Sequence, residues 1–351
     1  MSFKEILKKE VIKIDDTIAA YFNQYYLRPG RFSNPFLFQF YSDLKKYILN
    51  GGKRLRPASL IMVYQGLGGE EASIYEASIC VEMLHNASLV HDDIIDHDVV
   101  RRGQPSFHAH YDHWFQRNLA QVSDQIDFGI AMGILGGDLL IDLGQESLIK
   151  SAFESEKKYK ALEYYQKAFR EIINGVLAES YIQNVPLGHV SEKDYLDMIS
   201  KKTSALFEKS ILIGAVLADP EETHKKELSE FALSLGQAFQ IRDDILGIFG
   251  DVSQTGKSSD SDIREGKKTL LSLYANNVTK ITDLYGKRGI KQIEIEKVKQ
   301  IMKDTGALEK TRAKANEFCD NAKEILASIE MSEDSQIFFK ELIDYVQFRN
   351  L

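Results

Sequence analysis

Proline is scarce and unevenly placed in this chain of 351 residues. Six prolines occur, at positions 29, 35, 57, 105, 186 and 220, so the intervals 106–185 and 221–351 contain none. Because proline breaks a helix in its interior, long intervals without it favour helix. Apolar residues recur at i, i+3 and i+4 in almost every segment, and alternating β-branched residues between tight turns are missing. The sequence therefore predicts an all-α fold.

The apolar spacing also predicts where the helices lie. They are expected at 3–27, 35–49, 56–68, 71–97, 107–120, 123–147, 157–182, 191–216, 221–249, 267–286, 292–304, 306–329 and 334–348. No repeat or low-complexity linker divides the chain, and the Gly/Ser-rich segment 250–266 is too short to separate domains. A single helical domain over residues 1–351 is the simplest expectation.

Composition excludes several classes of protein. Hydrophobic residues make up 44% and charged residues 27%, which is typical of a globular chain. A net charge of -8 without a basic block argues against a nucleic-acid partner. The two cysteines, Cys80 and Cys319, are far apart in sequence and outside any metal-binding spacing, so a reducing, cytoplasmic location is expected. The first residues lack the apolar core of a signal peptide, and the apolar stretch 211–218 is too short to cross a bilayer, so no transmembrane segment is expected.

Two helices that are apolar nearly all round carry pairs of aspartates. His-Asp-Asp-Ile-Ile-Asp occupies 91–96 and Arg-Asp-Asp-Ile-Leu occupies 242–246. Asp92 and Asp96 are one turn apart, and their face of the helix also carries Glu82 and His85. Buried carboxylates need a compensating positive charge, supplied either by salt bridges to Arg or Lys or by a divalent cation. Mg²⁺ is typically held by one or two carboxylates together with substrate phosphates.

Basic residues recur near these acidic motifs in the sequence. Gly51-Gly52-Lys53-Arg54-Leu55-Arg56-Pro57 begins one helix, and Arg101-Arg102-Gly103 follows the first acidic motif; Lys202-Thr203, Lys257 and Lys267-Lys268-Thr269 come later. Each group alone is more typical of a solvated surface or a turn. Together with two acidic pairs, they indicate a site for two phosphate-bearing anions bridged by metal.

These motifs resemble those of the trans-isoprenyl diphosphate synthases, which elongate an allylic diphosphate with isopentenyl diphosphate. The resemblance rests on GGKRLRP (51–57), LVHDDIIDHDVVRRGQPSFH (89–108), GGDLL (136–140), KKTSALF (201–207), LGQAFQIRDDIL (235–246) and GKSSDSDIREGKKTLL (256–271). It implies a large helical bundle around a central cavity, Mg²⁺ as cofactor and a homodimer.

The resemblance also implies a role for each matching residue. Mg²⁺ would be held from opposite walls by Asp92, Asp93 and Asp96 and by Asp243 and Asp244. The allylic diphosphate would be bound by Arg101, Lys202, Thr203, Gln240, Lys257 and Lys267. Isopentenyl diphosphate would be bound by Lys53, Arg56, His85 and Arg102. The residues that act directly in ionisation of the allylic diphosphate would be Asp92, Asp96, Arg101, Lys202, Asp243 and Asp244.

The chain departs from the family pattern in three places. The second acidic motif of many relatives ends in a third aspartate, whereas this chain has Gly247 there. Extra residues occur around 117–127, and the C-terminal residues FRNL lack a basic tail. A metal ligand and a C-terminal phosphate contact are therefore in question, although Asp243 and Asp244 still predict activity.

Two other functions are compatible with parts of this pattern. A terpene cyclase shares the all-α fold, the acidic helix and Mg²⁺, but it has no use for a second-anion set, and its second motif is not a second Asp-Asp. A non-catalytic partner subunit has no physical reason to keep buried carboxylates that repel one another.

Product length is expected to depend on the residues one and two turns before the first acidic motif. Ala87 and Ser88 are small, and Leu84 is the first bulky side chain below Asp92. The pattern predicts mainly the twenty-carbon geranylgeranyl diphosphate, with a longer polyprenyl product or farnesyl diphosphate as alternatives. Small residues here are also explained by close approach of neighbouring helices. The preferred allylic substrate, dimethylallyl, geranyl or farnesyl diphosphate, stays open.

Overall fold

The computed structural model describes residues 2–121, 123, 126–218, 224–250, 260–279 and 281–348. Within these ranges the regular secondary structure is helical except for one short β-ribbon, which confirms the all-α prediction. Contacts divide the chain into two compact units, Met1–Tyr165 with Ile213–Glu221 and Gln166–Leu212 with Glu222–Leu351. The single-domain expectation stays a prediction.

In the described residues, the first unit contains six whole helices, the beginning of a seventh and the end of a later helix (213–218). The first seven are α1 (Phe3–Tyr25), α2 (Pro35–Leu49), α3 (Leu55–Gly66), α4 (Ile74–Ile95), α5 (Phe107–Asn118), α6 (Phe128–Lys150) and the first part of α7 (Ser155–Asn184). The β-ribbon, β1 (Val100–Arg101) and β2 (Gln104–Pro105), follows α4.

Helices α4 and α6 pack closely and run antiparallel. A Cβ at Gly133 of α6 would lie 2.6 Å from Cδ1 of Ile94, whereas a Cβ at Gly144 would lie 3.0 Å from the carbonyl oxygen of Cys80. Glycine at these positions lets the two backbones approach each other. An aromatic cluster joins α2, α5 and α6, with Phe36 and Trp114 centroids 5.1 Å apart and Trp114 stacked on Phe128 at 5.8 Å.

The second unit is built around two long helices that pack against each other. Its elements are the remainder of α7, a 3₁₀ turn (Leu187–His189), α8 (Glu192–Ile199), a π-helical turn (Ser200–Ser204), the first part of α9 (Ala205–Ala218), α10 (Lys225–Phe249), α11 (Ser261–Glu265), α12 (Leu270–Val278), α13 (Gln292–Asp304), α14 (Ala307–Ala327) and α15 (Glu333–Gln347). The core beneath α10 includes the fully buried side chains Ile241, Ile248 and Leu270.

Two helix predictions were wrong in a way that matters for the site. The expected helix 191–216 is interrupted by the π-helical turn, which keeps the apolar spacing of its flanks. The expected helix 267–286 begins only at Leu270, because Ser272 Oγ accepts a hydrogen bond from Thr269 N at 3.1 Å and so caps the helix start, and it ends at Val278. By contrast, α2 has the predicted bounds, since Asn34 caps it and Pro35 occupies its first position.

One helix among the described residues, α6, is long and apolar enough to cross a membrane by length and composition. The sequence predicted a helix at 123–147 but no membrane span there, so the length and apolar character of α6 were missed. Of its most apolar window, 44% is buried inside the structure. The core helix of a soluble protein passes the same test, and the glycines of α6 pack against α4. The helix is therefore weak evidence for a membrane span.

Candidate active site

The first acidic motif lies at the C-terminal end of α4. Asp92 is half-buried, Asp96 is exposed and forms the helix C-cap, and Asp93 is fully buried. Arg101 donates from Nε to Asp93 Oδ1 at 2.6 Å, and the Tyr47 hydroxyl lies 3.4 Å from Oδ2. Burial raises the pKa of Asp93, and Arg101 opposes that shift. Arg101 thus compensates the charge of the buried Asp93.

The β-ribbon after α4 orients the two arginines that follow the motif. Val100 pairs with Pro105 and Arg101 with Gln104, so Arg102 and Gly103 form a two-residue turn. Both have positive φ, 53° and 72°, as a type I′ turn requires. Arg101 consequently points back to Asp93, while Arg102 Nη1 donates to the carbonyl oxygen of Gly51 at 3.0 Å.

The glycine-rich loop before α3 accommodates these arginines. Gly51 and Gly52 have φ of 78° and 115°, and a Cβ at Gly52 would lie 2.7 Å from Nη1 of Arg54 and 3.4 Å from Nη2 of Arg102. Any larger residue would be strained at either position and would crowd the guanidinium groups at Gly52. The Gly-Gly pair of the motif is therefore required by arginine packing as well as by the turn.

Arg54 anchors this loop inside the first unit. It is 2% exposed, adopts a left-handed backbone with φ of 50°, and donates to Asp15 Oδ1 at 2.8 Å and Glu82 Oε1 at 2.7 Å. Glu82, which the sequence placed on the face of the acidic motif, is therefore the partner of Arg54. Lys53 is exposed and Arg56 half-buried on either side of it.

His85 lies among arginines. Burial lowers its pKa well below the usual value, and Arg56, Arg102, Arg101 and Arg54 lower it further. The imidazole is therefore neutral near pH 7. Of the residues that the sequence assigned to isopentenyl diphosphate, the structure brings His85, Arg56 and Arg102 into one positive region of the first unit.

The residues predicted to set product length lie below the acidic motif on α4. Leu84 and Ala87 are each 1% exposed, whereas Ser88 is half-buried and donates to the carbonyl oxygen of His85 at 2.7 Å. The next turn of α4 below Leu84 is also packed, since Cys80 is fully buried and its carbonyl oxygen lies 3.0 Å from where a Cβ of Gly144 would stand. Their role in product length stays a prediction.

The second acidic motif lies on α10 in the second unit. Asp244 is 4% exposed and accepts hydrogen bonds from the Tyr195 hydroxyl at 2.7 Å and Gln240 Nε2 at 2.8 Å. Burial raises its pKa to about 6 although Lys267 opposes the shift. Asp243, one residue earlier, is half-buried.

The π-helical turn places Lys202 and Thr203 in the second unit. Thr203 Oγ1 donates to Gln240 Oε1 at 2.8 Å, and Lys202 Nζ pairs with Glu179 of α7. Glycines flank the turn: a Cβ at Gly236 would lie 2.7 Å from Cβ of Ser204, and a Cβ at Gly175 would overlap the backbone of Lys202. Such single π-helical turns occur frequently at functional sites.

Lys267 belongs to the same group of residues. Burial alone would lower its pKa, but Asp244 and Asp262 hold the pKa of the ammonium above its usual range. The structure therefore brings Lys202, Thr203, Gln240, Asp244 and Lys267 into one unit with common partners. Lys257 lies outside the described residues.

Sequence reasoning missed several residues of these groups. Tyr195, Glu179 and Asp262 reach the predicted residues from α8, α7 and α11, and no motif spacing connects them to the acidic pairs. Asp262 carries a faint signal, since it follows Asp260 inside the GKSSDSDIREGKK run.

The donor set fits magnesium chemistry. Within the described ranges, no three His, Cys, Asp or Glu side chains meet as a self-sufficient metal site. Pairs of oxygen ligands are instead offered by Asp92 and Asp96 on α4 and by Asp243 and Asp244 on α10. Mg²⁺ commonly binds through one or two carboxylates and completes its shell with phosphate oxygens and water. These residues thus suit a metal that arrives with a phosphate-bearing substrate.

Comparison with known proteins agrees with this geometry. The sequence matches the polyprenyl synthetase family over residues 39–304. It is 34% identical to geranylfarnesyl diphosphate synthase of Aeropyrum pernix over 306 residues, 84% of this chain and 90% of that one. It is also 34% identical to geranylgeranyl diphosphate synthase of Saccharolobus solfataricus over 290 residues, 80% and 81% of the two chains.

The fold is matched by solved structures as well. The crystal structure of geranylgeranyl pyrophosphate synthase from Corynebacterium glutamicum, complexed with isoprenyl diphosphate and magnesium, superposes with a TM-score of 0.88. It is 23% identical and the match covers 100% of both chains. The chain therefore belongs to the polyprenyl synthetase family of trans-prenyltransferases and is a prenyl diphosphate synthase.

Proposed function

We propose that this enzyme condenses isopentenyl diphosphate with an allylic diphosphate in a Mg²⁺-dependent reaction, mainly to geranylgeranyl diphosphate. The observation that carries the proposal is the set of arginines around neutral His85. A one-substrate cyclase has no use for such a region, whereas a synthase must bind a second diphosphate. Relatives that make geranylgeranyl and geranylfarnesyl diphosphate support a product of twenty carbons or slightly more.

The metal would be held by Asp92 and Asp96 of α4 and by Asp243 and Asp244 of α10. Asp93 is assigned to the motif of α4. Mg²⁺, when bound, would supply positive charge to the diphosphate leaving group of the allylic substrate. Both acidic motifs are proposed to bind that diphosphate through Mg²⁺, because a carboxylate without a metal ion repels a diphosphate.

The cationic residues of the chain then have two tasks. One set stabilises the charge that develops on the allylic diphosphate as its carbon–oxygen bond breaks. It consists of Arg101, Lys202, Lys257 and Lys267, with the polar groups of Thr203 and Gln240. Lys53, Arg56, Arg102 and neutral His85 hold isopentenyl diphosphate so that its double bond attacks the allylic cation before water does. This attack leaves a cation on the isopentenyl unit, and loss of a proton from the carbon next to that cation forms the double bond of the new allylic product; the released diphosphate is the base proposed to accept the proton.

The enzyme is proposed to act as a cytoplasmic homodimer. Supporting this, α6 presents the exposed apolar side chains Ile130, Ile134 and Leu135. An apolar stripe of this kind is typical of a surface that another protein chain covers.

Turnover of the isolated chain tests the proposal. With isopentenyl diphosphate, each allylic diphosphate and Mg²⁺, we expect a prenyl product whose length chromatography determines after dephosphorylation. Asp92→Ala or Asp243→Ala should lower the rate by about 10²–10³-fold, since each removes charge stabilisation and little packing. Asp16→Ala, at an exposed aspartate of α1, is the matched control. A product formed equally well without isopentenyl diphosphate would indicate a cyclase. The absence of product in every mixture would indicate a non-catalytic partner subunit.

The same assay separates the two anion sites. Arg56→Ala should raise KM for isopentenyl diphosphate more than for the allylic substrate, and Lys202→Ala should do the reverse. The loss of one charged contact corresponds to about 1.5–3 kcal/mol. Equal effects on both substrates would show that these residues are structural.

A further inference from the structure

A pocket of about 430 Å³ lies at the C-terminal ends of α1 and α6 in the first unit. Its lining includes two tyrosines and three cations, Tyr25, Tyr26, Arg28, Arg31 and Lys150. The other end of α6 packs beside the first acidic motif, since a Cβ at Gly133 would lie 2.6 Å from Cδ1 of Ile94. Lys150 ends the helix about 25 Å further along, at a rise of about 1.5 Å per residue. The pocket is therefore remote from that motif.

A tight turn after α1 brings two arginines together at this pocket. Arg31 N donates to the carbonyl oxygen of Arg28 at 3.1 Å, and Gly30 between them has φ of 78°. Proline followed by a glycine of positive φ at the two central positions is typical of a type II turn. The Cα atoms of the first and fourth residues of such a turn lie within about 7 Å of each other. The sequence Arg28-Pro29-Gly30-Arg31 therefore starts two guanidinium side chains from neighbouring points.

Aromatic rings orient two of the three cations. The guanidinium carbon of Arg31 lies 6.0 Å from the ring centroid of Tyr26, and Lys150 Nζ lies 3.6 Å from that of Tyr25. Tyr26 is itself buried and donates from its hydroxyl to Glu146 Oε2 at 2.6 Å. A cation over the face of a tyrosine ring is attracted by the ring. Arg31 and Lys150 are therefore positioned before a ligand binds, which lowers the entropic cost of ordering them.

The positive charge of this pocket is only partly compensated. Lys150 pairs with Glu146 at 2.8 Å. Among the residues that the structure describes, no carboxylate pairs with Arg28 or Arg31, and no carboxylate lines the pocket. A guanidinium presents its N–H groups as a planar fork that fits the oxygens of a phosphate group. Two such forks and an ammonium around one cavity suit an anion with several oxygens and more than one negative charge.

We propose that this pocket is a phosphate-binding site outside the candidate active site, in which Arg28, Arg31 and Lys150 bind the oxygens of a phosphate or diphosphate group. Two sources carry this group: a free phosphate or diphosphate ion, and the headgroup of an acidic phospholipid. The inference goes beyond the proposed function, because none of the three cations is assigned to catalysis or to either substrate. Its failure therefore leaves the proposed function unaffected.

Titration calorimetry with inorganic diphosphate tests the free ion as ligand. EDTA is present, so that sites requiring Mg²⁺ do not contribute. The wild type should show a binding component that Arg28→Gln combined with Arg31→Gln weakens by about 10- to 100-fold, because two charge-assisted contacts are lost. Lys4→Gln combined with Lys8→Gln is the matched control, since it removes the same charge from exposed positions of α1. Turnover of the arginine variant should equal that of the wild type, and a loss of turnover would show a structural role and overturn the assignment.

Sedimentation with lipid vesicles tests the headgroup as ligand. Vesicles of phosphatidylcholine and phosphatidic acid are compared with vesicles of phosphatidylcholine alone. If the headgroup is the source, the mixed vesicles should carry down the wild type and the lysine variant but less of the arginine variant. A difference between the arginine and lysine variants in either experiment supports the site and identifies its source. Equal behaviour of the two variants in both experiments overturns the proposal.

Discussion

Neighbouring residues of one motif have different surroundings in this molecule. Asp93 is buried with Arg101, whereas Asp92 beside it is half-buried and Asp96 is exposed. The sequence grouped all three as metal ligands, because their spacing identifies one helix face but does not show which carboxylate an arginine compensates. A salt bridge accounts for the burial of Asp93, and metal binding by Asp92 and Asp96 stays a prediction.

His85 provides a test of stability against pH. Its pKa in the folded protein is well below the ordinary value of 6.5, so the unfolded chain binds more protons as pH falls below about 6.5. Protonation therefore favours unfolding, with a slope that approaches about 1.4 kcal/mol per pH unit. His85→Asn should remove this component between pH 7 and pH 5 in denaturant titrations. An unchanged slope in the variant would mean that the arginines do not act on His85.

At the scale of elements, helix bounds were predictable wherever a local signal marks them. Asn34-Pro35 and the following apolar spacing suffice for α2. The π-helical turn at Ser200–Ser204 was not predictable, because one extra residue per turn leaves the apolar spacing on either side intact. The β-ribbon was also missed, since its turn is Arg102-Gly103 instead of Asn-Gly.

Helix α4 carries the prediction on product length. Ser88 is half-buried, so Ser88→Phe can place an aromatic ring below Asp92 and should shorten the main product to farnesyl diphosphate. Leu84 is 1% exposed, and Leu84→Ala should open space one turn lower and lengthen the product. Ala87→Phe should also shorten it, with a cost in stability of about 1–3 kcal/mol, because Ala87 is 1% exposed.

Chromatography of the dephosphorylated products reads out these variants. Ser335→Ala, at a buried serine of α15, is the control for a substitution without effect on length. An unchanged distribution in all three α4 variants would place the limit to chain growth on another helix.

At the scale of the whole molecule, the sequence predicted the all-α class and the family, whereas the division into two compact units was not visible in it. Composition does not change at residue 165 or 212, and both boundaries fall inside helices, α7 and α9. The partners of Lys202 and Asp244 come from residues distant in sequence, which motif spacing does not reveal.

The chain is expected to form a homodimer. Size-exclusion chromatography with light scattering should therefore give twice the mass of the 39.9 kDa chain. Ile134→Asp, at a side chain 46% exposed on α6, should yield a monomer whose helical circular dichroism is unchanged. Ile293→Asp, at a side chain 79% exposed on α13, is the matched control. A monomeric wild type, or a dimer in Ile134→Asp, would contradict the role of α6.

The burial of Arg54 has a consequence for engineering. Its ion pairs with Asp15 and Glu82 fix the backbone between Lys53 and Arg56 independently of any substrate. Libraries that vary positions 53 and 56 while keeping Arg54, Asp15 and Glu82 should therefore contain mostly folded proteins, and their members can be ranked by recognition of new acceptor substrates. In a library that also varies position 54, most members would fail to fold.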